Sequence, residues 1–279
     1  MTGTLHTLLE MSWVELAELD KSSTIIFVPL SPIEEHGPHL PLGTDIFAAR
    51  DIAERAARYI CEEGDPRLHV VLAPAIPLGC SAITADFPGT LSLKGSTLYH
   101  LVEDFCTALA ESGFQYIVIA NHHLDPVHLK AILTAIESVS AQYDVRIIET
   151  AGRIYYSGME TEEIRQGQAM GLRMQTEVHA DVRETAYIKY RYPHLIKHNT
   201  DELPEVLIDV KDGFKNGWKT FKEMGAVQGY IGSPAMASPS YGQLHLEEHA
   251  RMMADMALRL VNGEPLPEMD PRMKEFLKT

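Results

Sequence analysis

Carboxylates and imidazoles occur at short spacing in residues 34–45, which read Glu-Glu-His-Gly-Pro-His-Leu-Pro-Leu-Gly-Thr-Asp. Glu34, His36 and Asp45 offer the oxygen and nitrogen donors that zinc and manganese accept. The glycines and prolines of the segment favour a fixed, irregular turn that would hold these donors rigid. The segment therefore predicts either a divalent metal site or a polar loop whose acids face water, because acidic side chains are mostly exposed.

A second group, Asn-His-His-Leu-Asp at residues 121–125, directly follows the apolar run 116–120. Neighbouring side chains of an extended chain point to opposite sides, so we expect one of His122 and His123 to face a cleft. Asp125 stands immediately before a helical pattern and is therefore a candidate N-cap, a role that competes with metal binding. A metal site and a solvated loop both remain open here.

A third group contains His179 and Glu184, five positions apart. The pair could act as general base and acid, or as a metal ligand and the group that orients it. An exposed histidine and a solvated glutamate are an equally ordinary interpretation. Together, however, the three groups supply about the number of ligands that two metal ions with a bridging carboxylate require. The sequence therefore predicts a two-metal hydrolase.

Short apolar runs alternate with stretches of helical period, and these elements would position the three groups. Predicted strands cover residues 24–30, 69–74, 116–120 and 145–149, and predicted helices cover 46–62, 96–111, 126–142 and 244–261. This order predicts an α/β fold, a three-layer sandwich with a mostly parallel central sheet and helices on both faces. Ligand sites in such sheets lie beyond the carboxyl ends of the strands, where the first two groups stand. We find no repeat or linker and predict a single domain over residues 1–279.

Composition narrows the class of protein. The chain has 39 acidic and 24 basic residues, a net charge of −15, and this field would repel a phosphate backbone, so we expect no nucleic-acid partner. No apolar run approaches the ~20 residues of a membrane span, and the first residues do not resemble a signal peptide. Cys61, Cys80 and Cys106 are sparse and far apart, which suits a reducing compartment. We therefore expect a cytoplasmic enzyme without a membrane partner.

Five segments resemble the creatininase (creatinine amidohydrolase) family and follow its order. Residues 33–45 resemble its leading signature, E-Q-H-G-P-H-L-P followed by T-D, and residues 87–93 are similar to its F-P-G-T-L-S-L segment. Residues 121–123 stand where the family has N-G-H. Residues 179–185 resemble its H-A-G-E-x-E-T motif, and residues 229–235 its late G-x-x-G-D-P segment.

The resemblance implies a creatininase-like α/β sandwich that hydrolyses a C–N bond of a small cyclic amide, lactam or formamide. It implies two divalent ions per subunit, Zn²⁺ and/or Mn²⁺, with a hydroxide between them as the nucleophile. The implied metal ligands are Glu34, His36, Asp45, His123 and Asp125. Among these, Asp45 would bridge the two ions.

The resemblance also assigns the proton transfer and the assembly. His179 would pass a proton to the leaving nitrogen, and Glu184 would orient or assist it. Members of the family tend to form homo-oligomers, often hexamers, so we expect self-association. The polar and weakly periodic residues 190–224 are the candidate surface, or alternatively a lid or an excursion from the fold.

Five positions concern the substrate and the second ion. His122 stands where the family has glycine and Asp125 where creatininases have glutamate, so either one could complete the second site. Gln175 and Leu124 stand where creatininases place aromatic contacts to the creatinine ring, and Ser81 is an expected substrate contact. Creatinine is thus less expected than another lactam or a formamide. One alternative is a member with a degenerate metal site that acts as a ligand-binding or scaffold protein, and another is a metal-dependent isomerase.

Overall fold

The computed structural model describes residues 3–278, in which five parallel strands form one sheet. The strands are β1 (Thr4–Thr7), β2 (Thr24–Pro29), β3 (His69–Leu72), β4 (Tyr116–Ala120) and β5 (Arg146–Glu149). Their order across the sheet is β1-β3-β2-β4-β5, and each of the four pairings is parallel. Four strands match the predicted ones. Strand β1 is not among the predicted strands, because its four residues are exposed at both ends and only half-buried between them.

Ten α-helices lie within the described residues. They are α1 (Trp13–Glu18), α2 (Thr44–Glu63), α3 (Gly95–Glu111), α4 (Pro126–Gln142), α5 (Ala151–Tyr156), α6 (Glu162–Ala169), α7 (Val182–Arg191), α8 (Val210–Lys215), α9 (Pro239–Asn262) and α10 (Pro271–Lys278). The four predicted helices correspond to α2, α3, α4 and α9. Helix α9 begins five residues earlier than predicted, because the Ser238 hydroxyl accepts a hydrogen bond from the Tyr241 amide and caps the helix.

The sheet separates two apolar cores. Successive residues of a strand point to opposite faces, so Ile25 and Phe27 of β2 pack on one side with α2 and α9. Ile26 and Val28 pack on the other side with α3 and α4. All four side chains are at most 2% exposed, which shows that both faces of β2 are covered. This arrangement confirms the predicted three-layer α/β sandwich.

Strands β2 and β4 are neighbours, and their carboxyl ends bring the first two polar groups together. Pro29 lies opposite Ala120 in the register, and the Leu30 amide donates to the Ala120 carbonyl at 2.9 Å. Beyond this point the Ser31 hydroxyl donates to Asn121 Oδ1 at 3.1 Å and accepts from the His122 amide at 3.0 Å. Residues 34–45 and 121–125 therefore start from one fixed edge.

Residues 190–224 pack beside this edge instead of standing apart from the fold. The Phe221 amide donates to the Ile83 carbonyl at 2.9 Å, and Phe221, Met224 and Ile83 belong to one apolar cluster. The segment thus covers one side of the strand-end loops, and its role as a contact between copies of the chain stays a prediction. Within residues 3–278, no helix has both the length and the apolar character that a membrane crossing requires.

Close packing of α9 against α7 depends on Gly242. A Cβ added there would lie 2.0 Å from the Ala186 carbonyl oxygen, so the two backbones would have to separate. We expect Gly242→Ala to lower the free energy of unfolding by about 1–3 kcal/mol, measured by chemical denaturation. The control Gln243→Ala changes the exposed neighbouring residue and should stay within about 0.5 kcal/mol of wild type. Equal stabilities for the two variants would contradict this packing.

Candidate metal centre

Six acidic and imidazole side chains converge beyond the carboxyl edge of the sheet. They are Glu34, His36, Asp45, His123, His179 and Glu184. Two come from the loop after β2, one from the first turn of α2, one from the loop after β4, and two from the entry to α7. The Glu184 side chain is the most exposed of the six at 12%, and the others are buried. The charges are therefore largely removed from water, which makes their mutual interactions strong.

The first ion-sized group consists of Glu34, Asp45 and His123. His123 Nδ1 lies 3.1 Å from Glu34 Oε1 and 3.2 Å from Asp45 Oδ2. The second oxygen of Glu34 accepts a hydrogen bond from the Thr84 hydroxyl at 2.8 Å, so Oε1 is the oxygen left for a cation. Two carboxylate oxygens and one imidazole nitrogen form a donor set that suits zinc or manganese.

The second group consists of His36, Asp45 and Glu184. His36 Nε2 lies 3.5 Å from Asp45 Oδ1 and 3.7 Å from Glu184 Oε1. The other oxygen of Glu184 accepts a hydrogen bond from the Ala180 amide at 2.6 Å. Asp45 therefore presents Oδ2 to the first group and Oδ1 to the second, which is the geometry of a carboxylate shared by two ions.

Backbone carbonyls fix which nitrogen of each imidazole can bind a cation. His123 Nε2 lies 2.8 Å from the Cys80 carbonyl, and His36 Nδ1 lies 3.1 Å from the Glu34 carbonyl. Since a carbonyl only accepts, each of these nitrogens carries the proton. The lone pairs of His123 Nδ1 and His36 Nε2 are then directed at the carboxylates, as in metal-binding histidines.

His179 is held in the same manner, and with Glu34 and His36 it forms a further ion-sized group that overlaps the first two. Its Nε2 donates to the Glu35 carbonyl at 2.8 Å, and its Nδ1 lies 3.7 Å from Glu34 Oε1. The ring packs against Phe221, with centroids 5.2 Å apart. Burial acts to lower the pKa of His179, but the Glu34 and Glu35 carboxylates together raise the pKa to about 9. Near neutral pH the imidazole can thus hold a proton at Nδ1.

The electrostatics of the two groups fit a cation. Burial opposes ionisation of Asp45, yet the facing imidazoles of His36, His122 and His123 hold its pKa well below the usual range. Burial likewise opposes protonation of His36, but Asp45 and Glu184 raise its pKa well above the usual value. Within the described residues, His36 Nε2 and Asp45 Oδ2 are buried atoms without a hydrogen-bond partner. A buried polar atom without a partner is energetically costly, and a divalent ion bound by these donors would provide a partner for both atoms.

Asp125, an expected ligand, lies apart from this cluster. Its Oδ1 accepts from the Val127 amide at 2.7 Å and the His128 amide at 3.3 Å, which makes it the N-cap of α4. Its Oδ2 faces the Ile83 amide at 3.5 Å. No ion-sized group among residues 3–278 includes Asp125. Glu184, which the resemblance assigns to assisting His179, is the carboxylate that faces His36.

The three expected substrate contacts have different surroundings. The Ser81 hydroxyl lies 3.3 Å from His123 Nε2 and is buried at the centre. Leu124 packs with Met269 in an apolar cluster beside α10. Gln175 is exposed in a short 3₁₀ helix. The structure therefore brings Ser81 to the centre and does not bring Leu124 or Gln175 there.

A second histidine group, which the sequence did not predict, lies beside the centre. His122 Nδ1 lies 3.4 Å from Asp45 Oδ1, while its Nε2 lies 2.9 Å from His245 Nε2. His245 and His249 share one face of α9, and both contact the buried Glu163 carboxylate. Two histidines four residues apart in a predicted helix were the available signal, because this spacing places both on one face.

A parallel α/β sheet with buried acids and imidazoles grouped beyond its carboxyl edge is an arrangement suited to metal-dependent hydrolysis. The model of the family described as creatininase, creatinine amidohydrolase, matches residues 9–257. The chain belongs to this family of metal-dependent amidohydrolases.

Two curated relatives differ in the activity that their names give. Creatinine amidohydrolase of Pseudomonas putida is 26% identical over 122 residues, which cover 42% of this chain and 44% of that protein. The match therefore spans less than half of that relative. Mycofactocin precursor peptide peptidase of Mycolicibacterium smegmatis is 25% identical over 248 residues, which cover 87% of each chain.

Solved structures share the fold at low identity. The structure named "Creatininase Mn" is 21% identical, has a TM-score of 0.71, and the match covers 91% of this chain and 97% of that one. A creatininase variant named as a Zn–Zn type is 22% identical, with a TM-score of 0.70 and coverage of 91% and 96%. These likenesses agree with the three-layer α/β architecture.

The geometry separates Asp45 from Asp125 as metal ligands. We expect Asp45→Asn to lose the zinc or manganese of these two groups, because Asp45 faces both of them. Asp125→Ala should keep the metal and lower the free energy of unfolding by ~1 kcal/mol, since it removes only a helix cap. Metal content after gel filtration, together with chemical denaturation, measures both effects. Metal loss from the Asp125 variant with full retention in the Asp45 variant would reverse this assignment.

Proposed function

We propose that this chain is a two-metal amidohydrolase that cleaves the C–N bond of an amide substrate. The observation that carries the proposal is the Asp45 carboxylate, whose two oxygens face two different donor groups. Glu34 and His123 complete the first group, and His36 and Glu184 complete the second. Zn²⁺ and Mn²⁺, which the names of the two solved relatives mention, are the ions that these mixed oxygen and nitrogen donors suit.

The ions, when bound, lower the pKa of a water molecule and polarise the substrate carbonyl. The protein holds its own donors ready for this: the Cys80 and Glu34 carbonyls fix the two ligand imidazoles, and Thr84 fixes Glu34. Little rearrangement of the ligands is then required. Such preorganisation in a site removed from water is a major source of rate enhancement.

His179 is the group that we assign to proton transfer. Its Nε2 is occupied by the Glu35 carbonyl, so its Nδ1 is the nitrogen that can exchange a proton on the side of the centre. The Glu34 carboxylate favours the protonated imidazole, which can then donate to the leaving nitrogen. Glu184 acts in this proposal as a ligand beside His36 instead of as a partner of His179.

A small cyclic amide, lactam or formamide is the first substrate class that we propose. The donor atoms are buried, and Phe221 packs on the ring of His179, so access to the centre is restricted. Such a substrate needs room only for the amide and a few neighbouring atoms. Because both donor groups are present, we do not propose the scaffold role.

A peptide amide is the second class, and one surface feature favours it. Leu42 is 41% exposed and Leu91 is 57% exposed, and both flank the loop that carries Glu34. The Glu34 amide donates to the Leu42 carbonyl, and the Leu91 amide donates to the Ile33 carbonyl. These apolar side chains could contact a peptide beside the centre. The relative named as a peptide peptidase matches the chain over most of its length.

A hydrolysis screen tests the proposed reaction and selects between the two substrate classes. The protein loaded with zinc or manganese would be assayed on lactams, cyclic ureas, formamides and short peptides, with release of the amine as the readout. We expect turnover of at least one class and its loss when the ions are removed by a chelator. Turnover that persists in full after complete metal removal would contradict a metal-dependent mechanism.

Two substitutions separate metal binding from proton transfer. His179→Gln should reduce kcat by about 10²–10⁴-fold, because it removes the proton donor while the ligands stay in place. Glu34→Gln should lose both turnover and metal. The control His100→Ala changes an exposed histidine of α3 and should behave like wild type. Full activity in both site variants would show that the centre is assigned wrongly.

A further inference from the structure

Three buried histidines form a separate group next to the centre. One ring nitrogen from each of His122, His245 and His249 lies within 4.8 Å of the others. His122 follows β4, whereas His245 and His249 lie on α9. All three residues are at most 6% exposed. The proposed two-metal reaction uses none of these nitrogens as a ligand.

In His122 and His245, whose Nε2 atoms face each other, the other ring nitrogen lies beside a carboxylate. His245 Nδ1 lies 2.6 Å from Glu163 Oε1, and His122 Nδ1 lies 3.4 Å from Asp45 Oδ1. A carboxylate accepts a hydrogen bond from the N–H of a neutral imidazole, so the remaining nitrogen keeps its lone pair. Those remaining nitrogens, the two Nε2 atoms, are 2.9 Å apart. Two lone pairs at this distance need a positive charge between them.

Glu163 places a buried negative charge beside these imidazoles, and this charge also interacts electrostatically with the Arg183 guanidinium. Its second oxygen lies 3.2 Å from His249 Nε2. Within residues 3–278, the ion pairs of Glu163 closer than 4.0 Å are those with His245 and His249, which are cationic only when protonated. A carboxylate that is 2% exposed is costly without a compensating charge. The arrangement of imidazoles held by a carboxylate is the one that orients histidines in metal sites.

We propose that His122, His245 and His249 bind a third divalent cation, with Glu163 orienting two of the imidazoles. Neutral imidazoles favour a borderline ion such as Zn²⁺ over the hard ions Mg²⁺ and Ca²⁺. The third ion would join α9 to the loop after β4. It would also hold the His122 ring against Asp45, and thereby help to position a carboxylate of the two-metal centre.

Metal stoichiometry tests this site separately from the reaction. After loading with Zn²⁺ and gel filtration, we expect three ions per chain in wild type, two in His249→Ala and one in Asp45→Asn. The control His194→Ala changes an exposed histidine and should keep three. X-ray absorption at the zinc edge of Asp45→Asn should show a first shell dominated by imidazole nitrogens. Should His249→Ala fail to fold, His249→Gln replaces it.

Each result bears on one proposal. If wild type and His249→Ala both bind two ions and hydrolysis is intact, the third site is wrong and the two-metal reaction is supported. His122 and His245 would in that case share a proton. One ion in wild type that persists in Asp45→Asn and disappears in His249→Ala would support the histidine site and overturn the two-metal reaction. A zinc-dependent rise in the Tm of Asp45→Asn that His249→Gln abolishes would support the third site by a second readout.

Discussion

The site depends on one constraint: a backbone carbonyl accepts a hydrogen bond from one nitrogen of each imidazole at the centre. The carbonyls of Glu34, Glu35 and Cys80 belong to loops, where they are not needed for helix or sheet hydrogen bonds. An irregular chain is therefore a requirement of this centre. The rigid β2–β4 edge determines where these loops start, so the parallel sheet positions Glu34, His36 and His123, which lie outside the helices and strands.

Buried charge is the second general property of the centre. Its carboxylates and imidazoles are removed from water and hold one another's pKa values away from their usual ranges. In the metal-free protein, protons on the imidazoles provide the positive charge, and divalent ions would replace those protons on binding. The same donors can thus stabilise the fold without metal and bind metal without large movement.

Most strands and long helices of the fold could be predicted from the sequence, because they depend on local patterns of residues. Strands β2 and β4 are continuous apolar runs, and α4 begins at a proline preceded by a capping acid. Strand β1 lacked such a signal. The resemblance predicts that Asp45 bridges two ions, and in the structure its two oxygens face His36 and His123.

Residues whose roles depend on tertiary contacts could not be predicted in the same way. An aspartate before a helix can cap it or bind metal, and spacing alone does not choose. In the fold, the amides of Val127 and His128 engage Asp125, while α7 carries Glu184 to His36. The meeting of His122 with α9 likewise depends on how a late helix packs against an early sheet. Separation along the chain has a consequence for folding: the second donor group needs both α2 and α7, so it is complete only after these distant segments have packed together.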